Sequence, residues 1–510
     1  MMGEKDPQEQ FYYGLSLEKM VPPDDFYRKV EEVVDFGFIR RLCRPLYSHT
    51  GKPSIDPVVF FKTELVGFLE NVTSDRKLAR LASDRLSLRR FLKYDLDEEF
   101  VWHSTISRTR QMMPERIYDE IFQAVLAKCV EAGLVEGRHV VVDTALIAAN
   151  ASLESLERKK PRLSVTEHRL RAIEENPCDK PQGNEGPGGG AGLAPAPEGR
   201  DKKQKDGQKT IKRDNKNWES TTDPDAKIAR KRGKPADMYY KDAIAVDPKK
   251  NVVTAVEGVT ADVADQQTLE PVVDAAVKNL EANGLKPDTV IGDSGFYSGE
   301  NLKAMEDKGL QALMPEQRNK PPNAEGKFGV DDFKYFPAKN EYTCPAGKIL
   351  QPDGTKTIKG ARYFKYRAKG NVCQECEIRR KCTDAEGARV LSVSEYQPFF
   401  EAHRKRMTPR NSRRARRIQR GSVEPAFGEA INFCGNRRVN TMGIGGARKK
   451  FIMCAAAQNL KKLIKYGGLP AMAAACKAKA EQMADKMAGF LYSIFGKNNP
   501  TPFINPLLAY

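Results

Sequence analysis

Two short apolar segments that each run into an aspartate constrain the fold of this chain most. Residues 139–142 (HVVV) read as a buried strand and are followed by Asp143, and residues 289–291 (TVI) are followed by Gly292 and Asp293. Ligands of α/β proteins gather beyond the carboxyl ends of strands. Two aspartates at such ends can therefore meet and hold a divalent cation. For either residue alone a turn-forming aspartate is the better interpretation, so the hypothesis depends on the pair.

A third acid lies in an arginine-rich segment with the sequence RRARRIQRGSVEPAFGEAINF. Arg417, Arg420 and Glu424 are spaced i, i+3 and i+7, which places them within about 60° on one helix face. One carboxylate among arginines suits a site where a metal ion and a phosphate meet. Pro425 disfavours helical backbone at Glu424, so we expect a kink there or a new helix beginning at Pro425. Glu429 is the alternative third acid.

The chain is basic, with 85 Lys and Arg against 68 Asp and Glu and a net charge of +17. Residues 403–420 carry nine Lys or Arg among 18 residues. This density exceeds that of an ordinary solvated helix face and indicates binding to a phosphate backbone. The candidate DNA-binding residues are Lys405, Arg413, Arg414, Arg416, Arg417 and Arg420.

Apolar periodicity and composition divide the chain into five parts. Helical spacing dominates the N-terminal part, whereas strands mixed with helices predict an α/β core. A segment rich in Gly, Pro and charge inside that core predicts a disordered insertion. The predicted parts are 1–135, an all-α DNA-binding domain; 136–330, the first part of the core with the insertion at 176–215; 331–395, a small Cys-rich insertion; 396–466, the remainder of the core with the third acid; and 467–510, a tail without an assigned role.

The first residues, MMGEKDPQEQ, lack the apolar stretch of a secretory signal, and no run approaches the roughly 18 apolar residues of a membrane span. We therefore expect a cytoplasmic protein that does not bind membranes. In that compartment cysteines serve as thiols or metal ligands rather than disulfides. The sequence CPAGKI and the later CQECEIRRKC favour structural zinc, with reduced thiols and an iron–sulfur cluster as alternatives. The four candidate zinc ligands are Cys344, Cys373, Cys376 and Cys382.

Five motifs follow one another in a fixed order after a helical segment that begins RPLYSHTGKPSIDP: they are VVVDTALIAANAS, STTDPDAKIARKRGK, VIGDSGFYSGENL, GSVEPAFG and KKFIMCAAAQNLKKLIKY. In this order they resemble DDE-type transposases of bacterial insertion sequences, which have an RNase H-like catalytic core. Arg420 and Glu424 match the family's Tyr-x2-Arg-x3-Glu-x6-Lys signature. The chain departs from it with Arg417 at the Tyr position and Ile431 at the Lys position, which puts the usual DNA-end contacts of that Lys in doubt.

Two other acidic pairs, Asp223 with Asp225 and Asp262 with Asp265, are interpreted as turn and cap residues.

The resemblance implies an RNase H-like mixed sheet flanked by helices and a catalytic triad of Asp143, Asp293 and Glu424. It implies Mg²⁺ or Mn²⁺ held by these acids, cleavage and transfer of DNA strands at terminal inverted repeats, and joining to target DNA. A homodimer that pairs two element ends in a nucleoid-associated complex is the expected assembly. The alternatives are a non-catalytic DNA-binding protein derived from a transposase, or an RNase H-like nuclease without strand transfer.

Overall fold

The computed structural model describes residues 16–47, 50, 54–159, 213–231, 233–316, 326–358, 360–370, 372–384 and 386–467. The predicted insertion at 176–215 lies outside these residues except for its last three. The predicted tail at 467–510 lies outside them except for its first residue. Among the described helices, none combines the length and the apolar composition that crossing a bilayer requires.

The N-terminal region is helical, as predicted, and side chains cap the start of three of its described helices. Asp25 accepts a hydrogen bond from the Tyr27 amide, and Asp56 accepts one from the Val58 amide, with Pro57 at the first helical position. Ser74 accepts one from the Lys77 amide at the start of the next helix. The helices are α1 Leu17–Met20, α2 Phe26–Val33, α3 Phe38–Cys43, α4 Pro57–Leu69, α5 Asp75–Asp84, α6 Leu86–Leu92, α7 His103–Met112 and α8 Glu115–Glu131.

A mixed sheet follows, with β6-β5-β1-β7-β8 as its strand order and β4 on the outer part of β5. The first three strands of this order are antiparallel, whereas β1, β7 and β8 run parallel. This is the mixed sheet that the resemblance predicts. The elements are β1 His139–Ala148, the short pair β2 Leu156–Arg158 and β3 Trp218–Ser220, β4 Lys227–Arg230, β5 Ala236–Asp247, β6 Val252–Thr260, α9 Asp265–Glu281, β7 Thr289–Ile291, α10 Gly299–Asp307 and β8 Gln311–Leu313.

A second sheet lies between β8 and the C-terminal helices and has its own small core. Its five antiparallel strands are arranged in the order β13-β12-β11-β10-β9. Tyr342, Leu350, Tyr366 and Leu391 are buried together, with cysteine side chains packed against them. The strands are β9 Lys334–Phe336, β10 Glu341–Thr343, β11 Ile349–Ile358, β12 Ala361–Ala368 and β13 Val390–Ser394.

Three helices complete the fold: α11 Gln397–Arg406, α12 Pro409–Phe433 and α13 Ile444–Tyr466. The last of these packs against α4, α8 and β6, so the N-terminal helices and the large sheet share one hydrophobic core. Asn459 of α13 fixes this packing from inside. Its buried amide both accepts from the Val253 amide and donates to the Val253 carbonyl of β6, at 2.8 Å each.

The helix α12 continues through Pro425, so no second helix begins there. A proline inside a helix leaves the carbonyl four residues earlier without its usual donor. That carbonyl belongs to Gly421, and the Asn251 side chain donates to it at 3.0 Å from the turn between β5 and β6. A contact from the sheet therefore replaces the missing helical hydrogen bond about one helical turn before Glu424.

Candidate active site

Asp143 lies inside β1, which continues to Ala148 rather than ending at this aspartate, because β5 pairs with β1 from Val141 to Ala148. Asp293 follows the end of β7, and the two aspartates stand at the same level on these neighbouring parallel strands. Val141 of β1 pairs with Ile291 of β7, and each aspartate follows its paired residue by two positions. Asp143 accepts a hydrogen bond from the Thr144 amide at 2.7 Å. Asp293 accepts one from the Gly295 amide at 2.8 Å. The register of the sheet therefore brings together two residues that are 150 positions apart in the sequence.

The third predicted acid reaches this edge because α12 packs against β1 and β5. Val423, Ala426 and Phe427 are buried on the side of α12 that faces the core, whereas Glu424 is exposed. Its charge acts on Asp143. The alternative acid, Glu429, lies next to Lys462 of α13 at 3.4 Å, where it serves the packing of the two helices.

A fourth carboxylate, Asp265, lies beside the predicted three. It opens α9 and accepts hydrogen bonds from the Thr144 hydroxyl at 3.0 Å and from the Lys241 ammonium at 2.7 Å. A Cβ atom built on Gly295 would lie 3.3 Å from the Asp265 carboxylate and 2.9 Å from that of Asp293, so the glycine lies between the two acids. The interpretation of Asp265 as a simple turn or cap residue misses this placement. The signal available in the sequence was an acid in the first turn of a helix that directly follows a strand.

The other members of the acidic pairs have the structural roles that their sequence context indicates. Asp223 accepts from the Gly443 amide at 3.1 Å, and Asp225 accepts from the Ile444 amide at 2.9 Å, so both cap the start of α13. Asp262 accepts from the Thr260 hydroxyl in the turn after β6.

Burial and the charges of neighbouring carboxylates disfavour ionisation of Asp143 and Asp293. Burial raises the pKa of the Asp143 carboxyl to about 7, and the carboxylates of Asp293, Asp265 and Glu424 add to the increase, against the Thr144 amide. Burial also raises the pKa of Asp293, and Asp265 adds to that increase. The charges of Asp293, Asp265 and Glu424, which come from one strand end and two helices, thus all act on Asp143.

The chemistry of these donors fits a hard divalent cation, since Mg²⁺ and Mn²⁺ prefer carboxylate oxygens and a cation would offset the repulsion. Across the described ranges, however, no three His, Cys, Asp or Glu side chains stand close enough together to hold a metal ion. The acids converge electrostatically without forming a closed set of ligands.

The predicted DNA-binding residues form an exposed basic surface along α11 and α12. All six side chains, Lys405, Arg413, Arg414, Arg416, Arg417 and Arg420, are exposed. Among the residues that the structure describes, none of the six has a carboxylate within the 4.0 Å of an ion pair. By contrast, Arg404 on the same helix as Lys405 pairs with Glu316 and Asp331, and Arg406 pairs with Glu306. Five of the six lie on α12, between 4 and 11 residues before Glu424.

The four cysteines line one cavity at the end of the small sheet. Cys344 follows β10, and the other three lie in the loop between β12 and β13. The Lys348 amide donates to the Cys344 sulfur at 3.3 Å, and Gly347 turns the chain with a φ of +74°. All four are free thiols. Burial raises the pKa of the Cys382 thiol, and the other three cysteines contribute to the increase.

Two families match this chain. Residues 15–112 match the family described as Transposase domain (DUF772), and residues 343–464 match the family described as Transposase DDE domain. A comparison with curated proteins finds no match. A solved structure of the piggyBac transposase synaptic complex with hairpin DNA is similar at a TM-score of 0.29 and 10% identity, covering 94% of this chain and 86% of that chain. At that level of similarity, neither the fold nor the function of this chain follows from that structure.

The helical N-terminal region and the mixed sheet are consistent with the class of proteins to which both matched domains belong, the transposases. The second match supports a transposase of the DDE type, which is the family that the sequence motifs resemble.

Proposed function

We propose that this transposase binds the terminal inverted repeats of an insertion sequence, cuts DNA there and joins the ends to target DNA. One observation carries the proposal: Asp143, Asp293 and Glu424 come from three separate segments, and the charges of Asp293 and Glu424 act on Asp143 where β1 continues past the end of β7. We assign catalysis to these three residues.

The three carboxylates would hold Mg²⁺ or Mn²⁺, and such a cation supplies the Lewis acidity that phosphodiester cleavage requires when it is bound. The residues of the chain perform the rest. The sheet fixes the Asp143 and Asp293 carboxylates, and the Thr144 and Gly295 amides orient one oxygen of each. Because ionisation of Asp143 is disfavoured in the free protein, cation binding is coupled to loss of its proton.

The exposed cations of α11 and α12 would bind the phosphates of double-stranded DNA next to the acids. A cation without a carboxylate partner can bind a phosphate without first breaking an ion pair. Arg404 and Arg406, by contrast, would have to break their ion pairs with Glu316 and Glu306. Pairing of two element ends in one complex requires two active sites, so we propose a homodimer on DNA.

We further propose structural zinc for the four cysteines. The amide-to-sulfur hydrogen bond at Cys344 and the shared cavity support this assignment. The described thiols do not stand close enough together to hold a metal ion, so zinc binding would draw them together. The test is zinc content per chain, measured before and after Cys373→Ser and Cys376→Ser. Absence of stoichiometric zinc from the wild-type protein would refute it.

The function is tested with supercoiled DNA that carries both element ends, incubated with the protein and Mg²⁺ or EDTA. We expect cutting and joining in Mg²⁺ only, and loss of both in Asp293→Asn and Glu424→Gln. Asp262→Asn is the matched control, because Asp262 bonds only within its turn, and it should remain active.

Each alternative function has its own signature in the same assay. Cutting that survives either variant contradicts the triad. Binding of the ends without any cutting by the wild type supports the non-catalytic DNA-binding protein. Cutting without joining supports the nuclease.

A further inference from the structure

A groove with two basic side chains leads away from the acidic site toward β4. Its floor is β1, at Thr144, Ala145 and Leu146, and its volume is about 550 Å³. That is within the roughly 300–1,000 Å³ of ligand pockets in proteins. Arg230 and Lys231, at the end of β4, line one wall.

The groove is continuous with the proposed catalytic centre at two points. Thr144 and Asp265, which line it, are hydrogen-bonded to each other and stand beside Asp143 and Asp293. Ile431 also lines the groove, and it follows Glu424 by seven residues on α12. Seven residues are nearly two helical turns, so Ile431 lies on the same face of the helix as Glu424.

Three cations line the groove, and of these Lys241 has a carboxylate partner, whereas Arg230 and Lys231 do not among the described residues. Lys241 is buried and bonds to Asp265 and to the Val263 carbonyl. Arg230 donates only to the Lys234 carbonyl of its own turn, at 3.0 Å. Lys231 lies over the Tyr239 ring at 5.3 Å. Within the described ranges neither has a carboxylate within ion-pair distance.

The environment of Lys231 favours an anionic ligand. Burial lowers the pKa of its ammonium, and the Lys234 charge adds to the decrease. A partly desolvated ammonium without a carboxylate partner is stabilised by any anion that enters the groove. Apolar side chains that line the groove, among them Ala145, Leu146 and Ile431, suit the sugar and base that accompany a phosphate.

We propose that this groove binds the backbone of the DNA strand that is cut, on one side of the cleaved bond, with Arg230 and Lys231 on its phosphates. The inference rests on the proposed function. It also accounts for Ile431, because Arg230 and Lys231 line the same groove as the position at which the chain lacks the signature Lys.

The test measures binding of duplex DNA with an element end in an Asp143→Asn background and EDTA, so that it does not depend on cutting. Affinity is measured by fluorescence anisotropy over a series of salt concentrations. Each phosphate contact contributes about 0.9 to the slope of log affinity against log salt. We expect the pair Arg230→Ala and Lys231→Ala to lower the slope by about one to two.

The matched control is the pair Lys249→Ala and Lys286→Ala, which removes the same charge. Both lysines are exposed and lie at the other end of the sheet, near the start of β1 and β7. The control should leave the slope unchanged. If both pairs change the slope equally, the effect is one of net charge and the groove proposal is overturned.

A second measurement locates the contact on DNA. Single phosphates beside the cut are replaced by neutral methylphosphonates. We expect one or two positions to weaken binding of protein with an intact groove and to have no effect on the groove variant. Ile431→Lys, added to the groove variant, should restore part of the lost slope.

Circular dichroism and the melting temperature confirm that the variants fold. An unchanged slope in a folded groove variant overturns the proposal, whether or not the wild type cuts DNA. A reduced slope supports it even if cutting is never observed.

Discussion

Replacing Asp143 by Asn should stabilise the metal-free protein in a pH-dependent way while it abolishes cutting. In the unfolded chain the carboxyl has a pKa of 3.8, and in the folded protein burial and neighbouring acids raise this pKa to about 7. Between these values the folded chain binds a proton that the unfolded chain has lost. The stability of the wild type therefore falls as pH rises from about 4 to about 7, and above pH 7 the full cost is present.

The magnitude follows from the difference between the two pKa values, which is about 3. At about 1.4 kcal/mol for each pKa unit the cost reaches at most about 4 kcal/mol, and partial solvent access reduces it to about 2–4 kcal/mol. Asparagine has a similar shape, keeps an oxygen for the Thr144 amide and carries no charge. The variant should therefore be more stable than the wild type by this amount at pH 8 and nearly equal to it at pH 4.

The assay is the melting temperature of both proteins in EDTA across this pH range, with Asp262→Asn as the control. Addition of Mg²⁺ at pH 8 should raise the melting temperature of the wild type more than that of the variant, since cation binding offsets the same repulsion. A variant that differs from the wild type equally at pH 4 and pH 8 would refute the electrostatic reasoning. So would a variant that is less stable at pH 8.

Three further predictions concern the surroundings of the site. Burial raises the pKa of Asp242 to about 7, and one of its oxygens has no hydrogen-bond partner in the described residues. The melting temperature of the wild type should therefore fall as the pH rises from about 4 to about 7, and Asp242→Asn should abolish this part of the fall. In Gly295→Ala the new Cβ would meet the Asp293 carboxylate at 2.9 Å, so cutting should fall by roughly 100-fold with unchanged DNA binding; wild-type cutting would contradict the proposed role of that carboxylate. Asn251→Gly keeps the positive φ of 56° but removes the donor to Gly421, and it should lower stability by about 1 kcal/mol in urea unfolding.

Local pattern was sufficient for much of the architecture. Apolar periodicity predicts the N-terminal helices, because helix formation depends on residues close together along the chain. The two apolar segments that run into Asp143 and Asp293 predict strands for the same reason, although β1 continues past Asp143 to Ala148. Pro425 predicts a kink or a new helix, yet one helix continues through it, and Asn251, which is distant in sequence, donates to the carbonyl that the proline leaves without its helical donor.

The amino-acid sequence by itself determined the N-terminal helices, the α/β character of the core, the candidate acids and the basic segment, since each is a property of residues close together along the chain. It did not indicate the five-stranded second sheet. Only the tertiary structure decided which charges meet. It set Asp265 beside Asp293 and Glu429 next to Lys462, and it left Arg230 and Lys231 without a carboxylate partner among the described residues, in a groove that Ile431 also lines. Electrostatic interactions act through space over a few ångströms, so strand register and helix packing determine them, and neither can be read from local spacing.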